Sequence, residues 1–307
     1  MTFFSLLAAL LLEHFRPLGY PLPHYLAFDR YAQAIERQLN AGQYQHGVIA
    51  WLVAVLPVLI MVTLVYFLLA AVSPLLAWVW SALVLYVTLG FKYFSKAAEH
   101  IARALEADDL EGARNAWARW RGLDASALNA DDIARLAIER TLESGHRQML
   151  GVIVCFVLLS PFGPAGAVLY RLASILGRKR GSVGTPGQFG EFAARAFYSI
   201  NWIPARLTAL SFAVAGDFED AMYCWRSQAQ GWPDAREGIV LASGAGALGV
   251  RIGLPVSDAD GWTQRPELGL GNNADAQYLD SAVSLIWRVL GLWLLVLLLI
   301  TLAKLAG

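Results

Sequence analysis

The sequence predicts an all-α, polytopic integral membrane protein with a helical hairpin, broken or re-entrant helices and a cytoplasmic helical layer. The composition is 57% hydrophobic and only 16% charged, and the mean hydropathy of +0.48 lies outside the range of ordinary soluble domains. Three apolar runs reach about the 20 residues needed to cross a bilayer. Neither a useful period-2 alternation nor an internal repeat is present, so no sheet is expected.

Two of the apolar runs form a predicted helical hairpin. They cover residues 48–71 and 75–91, and only Val72, Ser73 and Pro74 separate them. The third run is a C-terminal transmembrane helix over residues 282–304, in which Arg288 lies near one end and can extend to the interface. These runs predict three spans.

Two further apolar stretches are too short or too broken to be clear spans. Residues 1–12 are apolar and are followed by Glu13, and they carry neither a basic n-region nor a convincing cleavage site. We therefore expect the segment to insert and remain rather than to be removed as a signal peptide. Residues 149–176 are interrupted by Ser-Pro-Phe-Gly-Pro at 160–164, which would leave backbone groups unpaired in lipid. We therefore predict two half-helices folded back as a re-entrant hairpin.

Charge asymmetry predicts the orientation and the location. The turn at 72–74 carries no Lys or Arg, whereas residues 14–47 carry three and residues 92–147 carry nine, and short cytoplasmic loops collect these residues. We expect a multi-pass protein of the bacterial inner membrane with its polar segments mainly in the cytoplasm. The whole chain, 1–307, is predicted to be one membrane domain.

The cytoplasmic layer is predicted at residues 95–148, where apolar positions recur at spacings of three and four between charged residues. A break is expected near Asp108 and Asp109, and Asn129 is predicted to cap a later helix that runs to about Ser144.

Charge and cysteine content exclude other classes of protein. Lys+Arg and Asp+Glu both number 24, so the net charge is zero and a nucleic-acid partner is not expected. Cys155 and Cys224 lack the spacing of a metal site or disulfide framework and are predicted to be packing residues. No metal ligands are predicted.

Several stretches resemble the CobD/CbiB family of cobalamin biosynthesis. The similarity covers most of the chain: residues 10–40, EHIARALEADDLEGAR at 99–114, AIE at 137–139, NWIPARLTAL at 201–210 and GALGVRIG at 246–253. The last two stretches together are the most specific. The resemblance implies a membrane enzyme that forms an amide between a carboxylate of cobyric acid and aminopropanol or its phosphate. It also implies Mg²⁺ and ATP if the reaction is retained, and otherwise leaves the cofactors unknown.

The chain departs from the family pattern at polar positions. The pattern's Asn and Asp after the two glutamates are missing near Ser144, its acid is replaced near Gly177, and Phe197 and Tyr198 stand where an Asp-Asp pair is expected. Hard cations need several oxygen ligands, so the loss of these side chains would weaken a metal and phosphate site. A retained scaffold with an eroded site is similar to AmpE, a paralogue of the family. Two functions stay open, a non-catalytic AmpE-like scaffold or regulator, which we favour slightly, and the amide-forming enzyme. Besides the lipid bilayer, the candidate partners are a corrinoid precursor and a membrane protein.

The candidate site residues come from the resemblance and from helical spacing. Glu139 and Glu143 are the catalytic candidates, and with His146 they recur at i, i+4 and i+7 on one helical face. The alternative is a solvated face with Arg140 and Arg147 as ion partners. The substrate-binding candidates are His24, His146, Asn201, Arg206 and Arg251. We further predict that Asn201 and Arg206 line a shared polar cavity.

The glycine-rich stretch at 243–249 is predicted to be a close-packing segment. It lacks the preceding strand and the Lys-Ser/Thr of phosphate-binding loops. The triplet Arg178-Lys179-Arg180 and residues 181–187 are predicted to be a basic anchor and a flexible loop.

Overall fold

The computed structural model describes residues 2–16, 23–40, 42–122, 124–180, 188–258, 261–263 and 265–306. Its contacts divide the chain into two compact units, which we call the first unit (residues 1–90 and 147–204) and the second unit (residues 91–146 and 205–307). Each unit is described by itself. The single-domain organisation stays a prediction.

The helices, in chain order, are α1 (Thr2–Phe15), α2 (Pro23–Leu39), α3 (Tyr44–Val72), α4 (Pro74–Thr88), α5 (Phe91–Glu106), α6 (Leu110–Arg121), α7 (Ala130–Gly145), α8 (Gly151–Leu158), α9 (Ala165–Arg180), α10 (Glu191–Ile200), α11 (Trp202–Ala215), α12 (Phe218–Gln228), α13 (Ala235–Leu248) and α14 (Ala276–Ala306). Short 3₁₀ segments lie at Ser160–Phe162, Gln188–Gly190 and Ala229–Gly231, and one π-helical turn lies at His146–Leu150. This architecture confirms the all-α class.

Three helical stretches of the described residues are long and apolar enough to cross a membrane: Tyr44–Val72, Pro74–Glu106 and Ala276–Lys304. They contain the three predicted runs. The second stretch comprises α4 and α5, which are separated by Leu89 and Gly90. Their direction across the membrane stays a prediction.

In the first unit, α3 and α4 form the predicted hairpin. Ser73 is extended and its Oγ accepts a hydrogen bond from the amide of Leu75, while Pro74 occupies the first turn of α4, where no amide hydrogen is needed. Farther along the pair, Trp80 Nε1 donates to the carbonyl of Val62 at 3.2 Å. The tight turn therefore joins two antiparallel apolar helices.

The broken stretch at 149–176 also folds back as predicted. A Cβ atom at Gly166 of α9 would lie 2.0 Å from the carbonyl oxygen of Cys155 in α8, and one at Gly151 would lie 2.2 Å from the Tyr170 ring. These pairs run in opposite chain directions, so α8 and α9 are an antiparallel hairpin in which small residues permit backbone contact. Whether the hairpin enters the membrane and returns stays a prediction.

In the second unit, the predicted helix boundaries of the polar segment are confirmed. α5 and α6 are interrupted at 107–109, where Asp108 has a φ of 53° and the Asp109 side chain caps α6 through the amide of Gly112. Asn129 caps α7 by accepting from the amide of Asp132 at 2.8 Å. Short polar side chains stabilise helix starts in this way because the first amides lack intrahelical acceptors.

A small β region, which the sequence analysis did not predict, follows α13. Its strands are β1 (Val250–Gly253), β2 (Val256–Asp258), β3 (Gly261–Thr263), β4 (Glu267–Leu268) and β5 (Asn272–Asn273). β1 pairs with β4 antiparallel and with β5 parallel, and β2 pairs with β3 antiparallel. Strands of two to four residues are too short to show an alternating pattern, which explains the omission.

Both cysteines are buried and free, as packing residues are. Burial raises the pKa of the Cys224 thiol to about 11, so this group stays protonated and unreactive at neutral pH.

Candidate functional site

The candidate site is built on α7 in the second unit. Glu139 is 7% exposed and Arg135, one turn earlier on the same face, is 6% exposed. Both side chains bind the backbone of Gly253 at the end of β1: Glu139 Oε1 accepts from its amide at 2.9 Å, and Arg135 Nη1 donates to its carbonyl. Two side chains at i and i+4 of α7 thus bind both the amide and the carbonyl of Gly253.

Glycine is required at position 253. Its φ is +81°, and a Cβ atom there would lie 2.2 Å from the carbonyl oxygen of Pro266. A side chain would therefore displace β1 from its neighbour and move the peptide groups that Arg135 and Glu139 bind.

Arg265 completes the cluster, which we call the α7 clamp (Arg135, Glu139, Gly253 and Arg265). Its Nη1 lies 2.7 Å from Glu139 Oε2, and its guanidinium lies 5.5 Å from the centre of the Trp232 ring. Both oxygens of Glu139 consequently have partners. A buried carboxylate needs such compensation because removing it from water costs several kcal/mol.

The electrostatics of Glu139 follow from this environment. Burial raises the pKa of its carboxyl group above the ordinary value of 4.5, while the charge of Arg265 and the hydrogen bond from Gly253 oppose the increase. Arg265 is therefore the main group that favours the ionised form.

The other predicted residues of α7 have different partners. Glu143 Oε2 lies 2.6 Å from Arg140 Nη1, and both side chains are about 15% exposed or less. His146 is 2% exposed, begins the π-helical turn and shares a 2.9 Å hydrogen bond between Nδ1 and Thr208 Oγ1. π-Helical turns are frequent at functional sites. The catalytic roles of Glu139 and Glu143 stay predictions.

The remaining substrate-binding candidates are dispersed. Asn201 is buried in the first unit, where its Oδ1 accepts from Tyr170 Oη at 2.9 Å. Arg206 is half-buried on the part of α11 that belongs to the second unit. Their shared polar cavity stays a prediction.

Arg251 and His24 complete the set. The Arg251 guanidinium is exposed on β1, where Nη2 donates to Asn273 Oδ1 at 2.6 Å and Nε lies 3.7 Å from Glu267. His24 is in the first turn of α2, but its side chain lies outside the described residues. The same holds for the side chains of 178–180 and for residues 181–187.

The donor set does not fit the Mg²⁺ that the family resemblance implies. The partners of Glu139 and Glu143 are Arg265 and Arg140, and Asp132 is paired with Arg135. In the described ranges no group of three or more His, Cys, Asp or Glu side chains could hold a metal ion. No catalytic step through a metal is derived from α7.

The glycine-rich stretch is part of α13 and packs closely, as predicted. A Cβ atom at Gly246 would lie 2.5 Å from the carbonyl oxygen of Asp220 in α12, and Ser243 Oγ donates to the carbonyl of Ala209 at 2.7 Å. The stretch ends at Gly249, whose φ of 65° caps the helix and leads into β1.

Sequence reasoning missed Arg135, Gly253, Arg265 and Trp232. Arg135 precedes Glu139 by four residues, so helical spacing alone could have paired them. Arg265 and Trp232 are 126 and 93 positions from Glu139 by residue number, and no local pattern indicates such contacts.

Comparison with known proteins places the chain in a family. It matches the family described as CobD/Cbib protein over residues 6–286. It is 36% identical to the cobalamin biosynthesis protein CobD of Stutzerimonas stutzeri over 97% of each chain. The protein of that name from Chromobacterium violaceum is 36% identical over 72% of this chain and 70% of its own. No solved structure matches.

The names of these relatives refer to cobalamin biosynthesis and give no support to the AmpE-like, non-catalytic interpretation. The family match covers most of the chain, including α7, β1 and both specific stretches noted in the sequence. This protein is therefore a member of the CobD/CbiB family of cobalamin biosynthesis.

Proposed function

We propose that this protein is the membrane enzyme that joins a carboxylate of cobyric acid to aminopropanol or its phosphate through an amide bond. The observation that carries the proposal is the 36% identity to a cobalamin biosynthesis protein over 97% of both chains. That relative and the one from Chromobacterium violaceum are both named for cobalamin biosynthesis. The amide-forming step itself is the one that the family resemblance implies.

Within this proposal, the α7 clamp is a positioning device. Both oxygens of Glu139 are occupied, by the Gly253 amide and by Arg265, so its carboxylate holds β1 against α7 instead of accepting a proton from substrate. Glu143, one turn later, is the remaining catalytic candidate, and we propose it as the base for the incoming amine, whose proton it must reach. Its ion pair with Arg140 would then rearrange when substrate binds.

The orientation is a second part of the proposal. We propose that the α3–α4 turn faces the periplasm and that α5 to α7 face the cytoplasm, where the soluble substrates are. A reporter enzyme fused after Ser73 should give a periplasmic signal, and one fused after Asn129 a cytoplasmic signal. The reverse pair of signals would refute this orientation.

The function can be tested by complementation. A strain that lacks its own amide-forming enzyme should regain cobalamin-dependent growth with the wild-type gene and accumulate the amide product, identified by mass spectrometry. Glu143→Gln should abolish both the growth and the amide product, while the amount of protein in the membrane stays unchanged.

Glu111→Gln is the matched control, because Glu111 is 73% exposed and pairs with Arg114 on the surface of α6. It should complement fully. Absence of complementation by a wild-type protein that is correctly inserted would instead favour a non-catalytic role.

A further inference from the structure

An apolar cavity of about 610 Å³ lies in the first unit, a volume typical of small-molecule pockets, which span about 300–1,000 Å³. Residues of α2, α3, α4 and α9 line it. Met61 and Leu83, which line it, are 57% and 47% exposed on two apolar helices of the membrane hairpin, and we take this exposed part as its mouth. The cavity therefore opens toward the side of the hairpin that lipid would cover.

The cavity extends from the middle of the hairpin to one of its ends. Trp80 and Thr88 both line it, and eight residues of α-helix span roughly 12 Å. Thr88 is the last residue of α4. The cavity thus runs along α4 from its middle, where the hydrocarbon core would lie, to its C-terminal end.

Nearly all the described polar side chains that line the cavity already donate hydrogen bonds to backbone carbonyls. Tyr25 Oη donates to Val87, Tyr31 Oη to Val53, Trp80 Nε1 to Val62 and Thr88 Oγ1 to Val84, at 2.9 to 3.2 Å. These four side chains have no donor left for a ligand. A corrinoid, with its many amide arms, would find few partners here.

Arg171 is the exception. The residue is 5% exposed, its Nε atom has no hydrogen-bond partner, and its guanidinium lies 4.8 Å from the centre of the Tyr25 ring. No ion pair involving Arg171 is found between described residues. A buried guanidinium is costly without an anion, and its planar donors suit phosphate.

We propose that this cavity binds one molecule of an anionic phospholipid, with an acyl chain along α4 and the phosphate at Arg171. Charge complementarity identifies the occupant: hydrocarbon fills the apolar length, and the phosphate compensates the buried cation at the end of α4. Basic pockets between transmembrane helices bind anionic headgroups in the same way.

The test uses the full-length protein, purified in detergent and stripped of lipid. Its thermal stability is measured as dioleoyl phosphatidylglycerol is added, with dioleoyl phosphatidylcholine as the uncharged-headgroup comparison and inorganic phosphate as the chain-free comparison. We expect stabilisation by phosphatidylglycerol well below the concentration at which phosphatidylcholine acts, and none by phosphate.

Two variants separate the headgroup from the chain. Arg171→Leu should weaken phosphatidylglycerol binding roughly tenfold or more, the loss expected for one charge-assisted contact, and should abolish the preference over phosphatidylcholine. Leu83→Trp, which fills the mouth at an exposed position, should weaken the binding of both lipids.

Arg288→Leu is the matched control, because Arg288 is exposed on α14, another apolar helix, and donates to the carbonyl of Ala215. It should leave phosphatidylglycerol binding unchanged. The proposal is overturned if Arg171→Leu retains wild-type preference for phosphatidylglycerol, if Leu83→Trp binds both lipids normally, or if inorganic phosphate alone stabilises the protein through Arg171.

Discussion

Glu139 in the second unit and Arg171 in the first unit are both charged side chains with less than a tenth of their surface exposed, but their surroundings differ. Glu139 has the Gly253 amide on one oxygen and Arg265 on the other. Arg171 has an aromatic ring on one face and an apolar cavity beside it. A buried charge with protein partners is costly to remove, because the partners are left uncompensated, whereas one without an ionic partner leaves a place for a ligand.

The largest effect is expected for Glu139→Ala. The variant leaves the Gly253 amide without its acceptor and Arg265 with an uncompensated charge, and breaking a buried pair in this way costs about 3–5 kcal/mol. Chemical denaturation in detergent, followed by tryptophan fluorescence, would measure the loss of unfolding free energy.

Glu139→Gln provides the comparison for that measurement. Its amide oxygen can still accept from Gly253 but cannot compensate the charge of Arg265, so it should retain only the part of the stability that the Gly253 hydrogen bond contributes, about 1–3 kcal/mol. Equal and small losses in the two variants would show that the α7 clamp does not stabilise the second unit.

A second prediction uses pH to examine the pair between Arg265 and Glu139. Burial already raises the pKa of Glu139 above 4.5 in the folded protein, so above that pH the folded state binds more protons than the unfolded state, and stability falls as pH increases. Arg265→Gln removes the main opposing charge and raises the pKa further. The loss of unfolding free energy relative to wild type should therefore grow by about 1–3 kcal/mol between about pH 4.5 and 7.5.

Arg251→Gln is the control for the pH series. Arg251 and Glu267 are 44% and 43% exposed, and exposed pairs contribute about 0–1 kcal/mol. Its effect should be small and should not increase across the same pH range. A constant difference between Arg265→Gln and wild type would contradict the assigned role of Arg265.

The third prediction concerns the packing of α13 against α12. A methyl group at Gly246 would lie 2.5 Å from a backbone oxygen of α12, and overpacking of this kind costs about 1–3 kcal/mol. Gly246→Ala should therefore destabilise the protein in the same denaturation assay.

Gly291→Ala is the matched substitution in α14, where nothing lies within 4 Å of the added Cβ. Because alanine is the better helix former by about 1 kcal/mol, it should be neutral or stabilising. Two variants of equal stability would mean that α12 and α13 can separate without cost.

The sequence predicts the elements that local chemistry determines. The α3–α4 hairpin follows from two apolar runs around Ser73-Pro74, and the caps at Asp109 and Asn129 follow from side chains that compete for free amides. The helix spacing also places Glu139 and Glu143 on α7. Arg140, named from the sequence as an ion partner of this face, pairs with Glu143. What could not be predicted are the partners of Glu139, because Gly253 and Arg265 come from a β region whose strands are too short to show a pattern.

The cavity at Arg171 escaped the sequence analysis for a related reason. Arg171 stands in an apolar helix, and a lone cation there is usually read as one that extends to the interface. Only the packing of α2, α3, α4 and α9 shows that it is buried and that its neighbours' polar groups are already used.

The smallest effect on the unfolding free energy is expected for Arg171→Leu, the counterpart of Glu139→Ala at the other buried charge. Arg171→Leu removes a charge that has no ionic partner among the described side chains, so the desolvation cost that it relieves offsets the lost contact with the Tyr25 ring, which is worth about 0.5–2 kcal/mol. In detergent without anionic lipid, the unfolding free energy should change by less than about 1 kcal/mol, far below the loss in Glu139→Ala. Phosphatidylglycerol at a hundred times the wild-type dissociation constant should then stabilise wild type by about 2.7 kcal/mol, but a variant with tenfold lower affinity by only about 1.4 kcal/mol. A loss of about 3 kcal/mol or more without lipid would instead mean that Arg171, like Glu139, is held by a protein partner, and the distinction between the two centres would fail.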